Sequence, residues 1–290
     1  MKFQLIHQER RWHDLDALCR AMKVTRGGYY TWLRRRPTAR NHANVVLLSQ
    51  IRRIHNESGR SYGSPRVHDQ LQQEGVRCGR KRVEHLMRDN AIKAKQKKKY
   101  TPTTTDSAHS MPVAPNILNR QFQRRNPNEV WLADITYIDT DEGWLYLAAV
   151  MDLFSRRIVG WSVGDQIHRH LPLRALQMAV QRRRPGKGVI HHSDRGSQYA
   201  SAEYQAELKT NEMICSMSRK GNCWDNAPME SWFHSLKVEV IRDERFATRQ
   251  QAFATISDYI EVFYNRQRIH SSIGSVSPVD FEEQLLRRVS

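Results

Sequence analysis

Three carboxylates stand out for where they sit. Asp134 interrupts the apolar, β-branched and aromatic run Val130-Trp131-Leu132-Ala133-Asp134-Ile135-Thr136-Tyr137-Ile138, where an ionised side chain costs several kcal/mol unless something compensates it. Asp194 closes a second short run, Gly188 to Ser193, and Arg195-Gly196-Ser197 behind it can turn the chain away. Glu230 follows Pro228 at the start of a helical stretch. At ~100° per residue, Glu230, His234, Lys237 and Ile241 share one side of that helix, and Met229, Trp232, Phe233, Leu236 and Val240 form the stripe that packs. Taken singly, a strand aspartate is an edge or capping residue more often than a ligand; the three matter if they meet. Carboxylates brought together repel, which raises their pKa values unless a divalent cation neutralises them. Oxygen-only ligands select hard ions, Mg²⁺ or Mn²⁺. A pair of such ions can activate a water or a 3′-hydroxyl and stabilise the leaving oxygen. Lys237, beside Glu230 on the helix, suits a phosphate.

The elements that must position these residues are legible around them. Strand signals run through Val130 to Ile138, Trp144 to Phe154 and Arg157 to Val163, with a turn at Asp139 to Gly143. Helical spacing follows in Leu171, Leu173, Leu176, Met178 and Val180, then a short strand to Asp194, a helix over Ala202 to Asn211, and a strand over Ile214 to Met217. A loop, Ser218 to Ala227, leads into the long helix from Pro228. Three strands, helix, strand, helix, strand, helix is the order of a ribonuclease H-like α/β domain.

The first part of the chain reads as helical. Leu15, Leu18, Cys19 and Met22 fall at helical spacing, and Thr25 can cap a second helix burying Tyr29, Trp32 and Leu33, the layout of a helix-turn-helix. Ala43 to Glu57 is amphipathic through Val46, Leu47, Ile51 and Ile54. Ser64 followed by Pro65 suits a cap and first position for a helix holding Val67 and Leu71. Arg80-Lys81-Arg82 opens a further helix with Val83, Leu86 and Met87 inward, fit for DNA backbone or major-groove contact. From Lys93 the composition becomes linker-like: Lys97-Lys98-Lys99, a threonine-proline run, and Pro112, Pro115 and Pro127. Such a segment can track a phosphate backbone or serve as a solvated tether.

Charge and composition bound the function class. Of 290 residues, 47 are Lys or Arg and 30 Asp or Glu, a net of +17. The whole excess lies in residues 1–130, with 27 basic and 10 acidic side chains, against 20 of each in residues 131–290. A basic module joined to a balanced one favours a polyanion, because each Lys or Arg meeting a phosphate releases counterions. The longest apolar stretch, Trp144 to Met151, is far below the roughly 20 residues of a membrane-spanning helix, and no signal segment opens the chain. Cys19, Cys78, Cys215 and Cys223 form no Cys-x-x-Cys pair, so neither a disulfide framework nor a zinc site is expected.

Three segments together are highly specific: Trp131-Leu132-Ala133-Asp134-Ile135-Thr136-Tyr137, His192-Ser193-Asp194-Arg195-Gly196-Ser197-Gln198-Tyr199, and Ser218 to Ser231. They resemble the DDE-type insertion-sequence transposases related to retroviral integrases. More narrowly, the chain is similar to the second-frame (OrfB) product of two-frame bacterial insertion sequences. Thirty-five residues separate Asp194 from Glu230, the spacing of that family's D,D-35-E signature, and Tyr264 to Gly274 with Ser277-Pro278 resembles its closing motif. The resemblance covers essentially the whole chain. It implies that Asp134, Asp194 and Glu230 bind two Mg²⁺ (or Mn²⁺) ions and are catalytic, and that Lys237 contacts terminal donor DNA. It places Arg219, Lys220 and Trp224 in the loop before the third acid as DNA contacts; an integrase-type zinc site has no match.

The expected organisation is therefore a helix-turn-helix-like segment (1–40), a basic helical DNA-binding domain (41–93), a basic linker (94–127), a ribonuclease H-like integrase core (128–245) and a C-terminal helical extension (246–290). The expected function is metal-dependent 3′-end cleavage and strand transfer of an insertion sequence. The alternatives are a non-catalytic DNA-binding regulator and a hydrolase of RNA–DNA hybrids. Expected partners are double-stranded DNA (terminal inverted repeats and target), further copies of the chain, and an upstream-frame fusion partner of the kind that family often uses. The expected location is the bacterial cytoplasm, on the nucleoid when bound to DNA.

Overall fold

Apolar residues at two periods build the two kinds of element in this chain. The structure, a computed structural model, describes residues 2–34, 38–95, 111–220 and 222–289. Its helices begin with α1 (Lys2–Glu9), α2 (Leu15–Ala21), α3 (Arg26–Arg34), α4 (Ala39–Glu57), α5 (Ser64–Gln73) and α6 (Arg80–Asp89). Then follow β1 (Val130–Ile138), β2 (Leu145–Asp152), β3 (Ile158–Gly164), α7 (His170–Arg183), β4 (Ile190–Ser193), α8 (Ser197–Ala200), α9 (Ala202–Thr210) and β5 (Ile214–Met217). The chain closes with α10 (Ala227–Leu236), α11 (Arg249–Asp258) and α12 (Pro278–Val289); π-helical turns over Lys237–Ile241 and Tyr259–Tyr264 extend α10 and α11. The residues up to Arg52 form one compact unit and those from Arg53 onward a second.

In the first unit α1, α2 and α3 close over Ile6, Cys19 and Tyr29. Asp14 caps α2 by accepting from Asp16 N and Ala17 N at 2.9 and 3.1 Å, and Thr25 caps α3 by accepting from Gly28 N at 3.0 Å. The buried Tyr29 hydroxyl meets His7 Nδ1 at 2.9 Å and accepts from Arg10 Nη1 at 3.0 Å. Leu33, expected to be buried, is exposed: α3 packs through Tyr29 and Trp32, and Leu33 lies one step around the helix. The same correction applies to Val46 on α4, which is 61% exposed beside the buried stripe Leu47, Ile51 and Ile54.

In the second unit α5 and α6 pack through Val67, Leu71, Val83 and Met87. Ser64 is the first residue of α5 rather than its cap: Gly63, with extended φ and ψ of −84° and 177°, holds the cap position. The stretch read as linker is not all tether. Leu118 is fully buried in the core, and Ser216 Oγ on β5 accepts from Ile117 N at 2.9 Å. The pair Ile117-Leu118 among polar and proline neighbours carries no period, which is why the packing is invisible in the sequence.

The five strands run in the order β3-β2-β1-β4-β5. β1, β2 and β3 form an antiparallel meander, and β4 and β5 add parallel to β1. Alternate side chains face opposite layers. Val130 and Leu132 pack with Met229, Trp232, Phe233, Leu236, Ile256 and Tyr264 of the C-terminal helices; Trp131 and Ala133 pack with Leu171, Ala175, Ala179, Tyr199 and Tyr204. Helices on both faces are the usual condition for parallel strands. Helix α7 buries Leu171 and Leu176 of the expected stripe, leaves Leu173, Met178 and Val180 partly buried, and adds Ala175 and Ala179. The alanines let it lie against β3, where a Cβ on Gly160 would stand 2.1 Å from Ala175 O and 2.6 Å from Ala179 N.

Candidate active site

The parallel pairing of β1 with β4 sets the site. Leu132 pairs with His192, and two residues further along, in the same sense, come Asp134 on β1 and Asp194 just past the end of β4. Both border one cleft with Tyr137, Gly196, Gln198 and Tyr199. Asp134 Oδ1 accepts from Ile135 N at 2.8 Å, and Asp194 Oδ1 from Gly196 N at 2.9 Å. A Cβ on Gly196 would meet Gln198 Oε1 at 2.6 Å and Asp194 Oδ1 at 3.0 Å, so the turn below Asp194 is tight. Burial, and after it the charge of Asp194, push the Asp134 carboxyl well above its usual range; Glu230 adds to this and Lys237 opposes it.

Glu230 sits on the exposed side of the first turn of α10, its carboxyl raised by partial desolvation. Among the described residues no three His, Cys, Asp or Glu side chains are grouped to hold one ion. The fold thus brings Asp134 and Asp194 together and leaves Glu230 outside that pair, within reach of Asp134 only through its field. Lys237 also acts on Asp134: its Nζ lies 4.6 Å from the centre of the Tyr137 ring, and burial lowers its pKa against the pull of Asp134. The π turn that begins at Lys237 departs from the expected wheel. Val238 enters the core, Val240 is only partly buried, and Glu239 turns toward Arg268.

Glu239, in the π turn that extends α10, is where Arg268 and the basic segment around α5 meet. Arg268, 1% exposed, donates from Nε to Glu239 Oε2 at 2.8 Å and from Nη2 to Oε1 at 2.6 Å. Arg66 of α5 reaches Glu239 Oε1 at 3.7 Å, and Lys95 Nζ donates to Glu239 O at 2.9 Å. Ile269 N donates to Tyr62 Oη at 2.8 Å.

The loop before α10 is fixed by a residue that sequence reasoning passed over. Asp225 is fully buried and accepts from Arg219 N, Nε and Nη2 at 2.9, 2.9 and 2.7 Å, from Arg120 Nε at 2.9 Å and from Asn116 Nδ2 at 2.9 Å. The Arg219 hydrogen bonds come first in holding its carboxyl far below the usual range. Asn226 Nδ2, next in the chain, donates to Ala133 O at 3.3 Å, beside Asp134. Arg219, expected as a DNA contact, is therefore committed to Asp225, while Lys220 and Trp224 are exposed, Trp224 by 68%. On α6, Arg80 and Lys81 are exposed and Arg82 is half-buried. Lys97, Lys98 and Lys99 lie outside the described residues. His191 and His192 are buried in β4; His191 Nε2 meets Tyr204 Oη at 2.9 Å, and His192 meets Ser216 Oγ and Ser218 Oγ at 2.9 and 3.1 Å.

Comparison with known proteins places this arrangement. An HTH-like domain model matches residues 42–100, and two integrase core domain models match residues 124–223 and 230–286. The chain is 44% identical, over 99% of its length and all of the relative's, to the transposase InsF for insertion sequence IS3A of Escherichia coli K12. The chain belongs to the insertion-sequence transposases of the IS3 type. A second relative, the uncharacterized 31 kDa protein of insertion element IS600 from Shigella sonnei, is 43% identical over 92% of this chain and 98% of its own. Among solved structures, the simian T-cell lymphotropic virus intasome bound to PP2A regulatory subunit B56 gamma aligns with a TM-score of 0.46 at 15% identity, over 79% of this chain and 73% of that one. In this transposase chain no described helix is long and apolar enough to cross a membrane.

The Asp225 clamp carried one sequence signal: an aspartate in the segment Asn222-Cys223-Trp224-Asp225-Asn226-Ala227-Pro228, just ahead of a helix. Its partners Arg120 and Asn116 lie more than a hundred residues upstream, and no local pattern joins them to it.

Proposed function

We propose that the chain hydrolyses the phosphodiester at the 3′ end of its insertion sequence and then directs that 3′-hydroxyl at a phosphodiester of target DNA. The observation that carries this reading is that Asp134 of β1 and Asp194, just past β4, line one cleft. Two carboxylates forced together, one with its pKa driven up by burial and by the other's charge, form a donor set that an added cation relieves. All-oxygen donors fit Mg²⁺ or Mn²⁺, and Asp134, Asp194 and Glu230 would hold two such ions, with Glu230 brought in from its exposed place on α10. When bound, they would supply Lewis-acid activation of the attacking oxygen and stabilisation of the leaving one.

The chain's own residues do the positioning. Lys237, held over Tyr137 and half-buried beside Asp134, binds a phosphate of the end being processed. Lys220 and Trp224 extend that contact along the loop, and Arg219 stiffens the loop through Asp225. On α6, Arg80, Lys81 and Arg82 stand in the first helical turn with no acidic residue among them. Cations there oppose the helix dipole, and a DNA phosphate compensates them. Two element ends must be joined to one target, so at least two copies act together on DNA.

The test is strand transfer on a duplex carrying the element's terminal repeat. The wild-type chain joins it to target DNA when Mg²⁺ is present, and Asp194→Asn loses joining by a factor of about a thousand or more while still binding the end. Undiminished joining by Asp194→Asn overturns the reading.

A further inference from the structure

The mouth of the acid cleft carries an aromatic pair that the reaction as described does not use. Trp144, at the entry to β2, is 46% exposed, and it stands edge-to-face with Tyr137, ring centres 4.8 Å apart at 84°. Tyr137 borders the cleft with Asp134 and Asp194 and carries the Lys237 ammonium over its ring. An exposed tryptophan is poorly placed for core packing, yet its backbone is firmly held. Gly143 before it adopts φ +100°, closed by Gly143 N donating to Thr140 O at 2.9 Å. Arg249 Nε donates to Trp144 O at 3.1 Å, and Arg249 N to Glu142 Oε2 at 2.8 Å. Asp141 N donates to Phe246 O at 2.9 Å, and Asp141 pairs with Arg245 at 3.1 Å. Two of the three loop acids, Asp141 and Glu142, are thus engaged by Arg245 and the backbone of Arg249, and Asp139 is exposed. The outer surface then offers a half-exposed indole with the Lys237 ammonium over the adjoining Tyr137 ring and the Arg249 side chain against the Trp144 backbone.

A rigid aromatic ring flanked by cations is the chemistry that takes a base out of single-stranded nucleic acid: the ring stacks on the base and the cations follow the phosphates. We infer that Trp144, braced by Tyr137, is a stacking platform for an unpaired nucleobase at the end of the DNA whose phosphate enters the Asp134–Asp194 cleft. The inference rests on the transposase reading for the identity of the DNA and adds a subsite to it. Opening the terminal base pair costs a few kcal/mol, and a stacking partner for the freed base offsets part of that cost while the phosphate moves to the carboxylates.

The experiment uses the full chain and three probes: a blunt duplex carrying the terminal repeat, the same duplex with its last two bases unpaired, and the unpaired form with 5-iodouracil at the terminal position for photocrosslinking. The wild-type chain should bind the unpaired end more tightly than the blunt one, and the crosslink should map to the peptide containing Trp144 or Tyr137. Trp144→Ala should lose between about fivefold and 150-fold of affinity for the unpaired end, the worth of one stacked base, and keep its affinity for the blunt duplex. Trp144→Phe should retain most of the preference, which separates stacking from a folding defect. Equal binding of blunt and unpaired ends by the wild type, or a crosslink confined to Trp224, overturns the inference while leaving the transposase reading intact. Failure to bind any of the three probes counts against both.

Discussion

The loop that leads into α10 should depend on one carboxylate, and the dependence can be sized. Asp225 is buried and takes five donors: Arg219 Nη2 and Arg120 Nε on Oδ1, and Arg219 N, Arg219 Nε and Asn116 Nδ2 on Oδ2. In Asp225→Asn one of the two oxygens becomes an amide that points its own hydrogens at two or three donors. Hydrogen bonds to charged groups are worth about 1.5–3 kcal/mol each. The side chains of Arg120 and Arg219 are 44% and 47% exposed, however, and regain water when released, so a net loss of about 2–3 kcal/mol is expected. For a unit of this size that is a fall in Tm of about 4–12 °C. The Asp225 pKa is depressed in the folded chain, so its contribution is complete above the unfolded carboxyl value of about 3.9 and is lost as pH falls through the lower folded value. The penalty of Asp225→Asn should therefore be full at pH 7 and shrink below pH 4. Thermal melts at both pH values, with limited proteolysis of residues 218–226, measure it. A midpoint within 2 °C of wild type at pH 7 and an unchanged digest would refute the clamp.

Three further outcomes follow from particular contacts. Gly160→Ala puts a methyl group 2.1 Å from Ala175 O; it should cost about 3 kcal/mol or prevent folding, read as soluble yield and Tm, and a neutral result would mean α7 does not press on β3. Glu239→Gln removes the charge facing the nearly buried Arg268 and should cost about 3–5 kcal/mol by urea unfolding, with Arg268→Ala not additive to it. His270 is held neutral down to about pH 3 by burial first, then by Arg268, Arg66 and Arg156. The unfolded chain takes up a proton below about 6.5, so stability should fall by about 1.4 kcal/mol per pH unit from that group as pH drops from about 6 toward 3. His270→Gln should remove one proton from the measured slope, and an unchanged slope would sink the assignment.

What was readable in the sequence had a local period. The strands from Val130 to Met217 announced themselves by β-branched and aromatic runs, and β5 occupies the four residues its pattern marked. Asp134 and Asp194 were recognisable because a carboxylate in or at the end of such a run is out of place. What stayed hidden was set by long-range packing. The stripe of α7 adds Ala175 and Ala179 to Leu171 and Leu176, and the small size of the alanines matters only because β3 passes at Gly160. The Asp225 clamp joins residues more than a hundred positions apart. The π turn after Leu236 shifts Glu239 toward Arg268, a change no α-helical wheel can anticipate. Glu230 shares a helix side with Lys237 on paper, and in the fold it stays exposed, because where the start of α10 lies depends on the loop beneath it.

The central claim is that Asp134 and Asp194 form a divalent-cation site, completed by Glu230. Its most direct measurement is a Mn²⁺ titration of the full chain followed by electron paramagnetic resonance, for the wild type, Asp134→Asn, Asp194→Asn and Glu230→Gln. The account predicts that the wild type removes free Mn²⁺ from the spectrum, that either aspartate variant binds it at least about tenfold more weakly, and that Glu230→Gln falls between them. Mn²⁺ binding of undiminished strength in both Asp134→Asn and Asp194→Asn would contradict it.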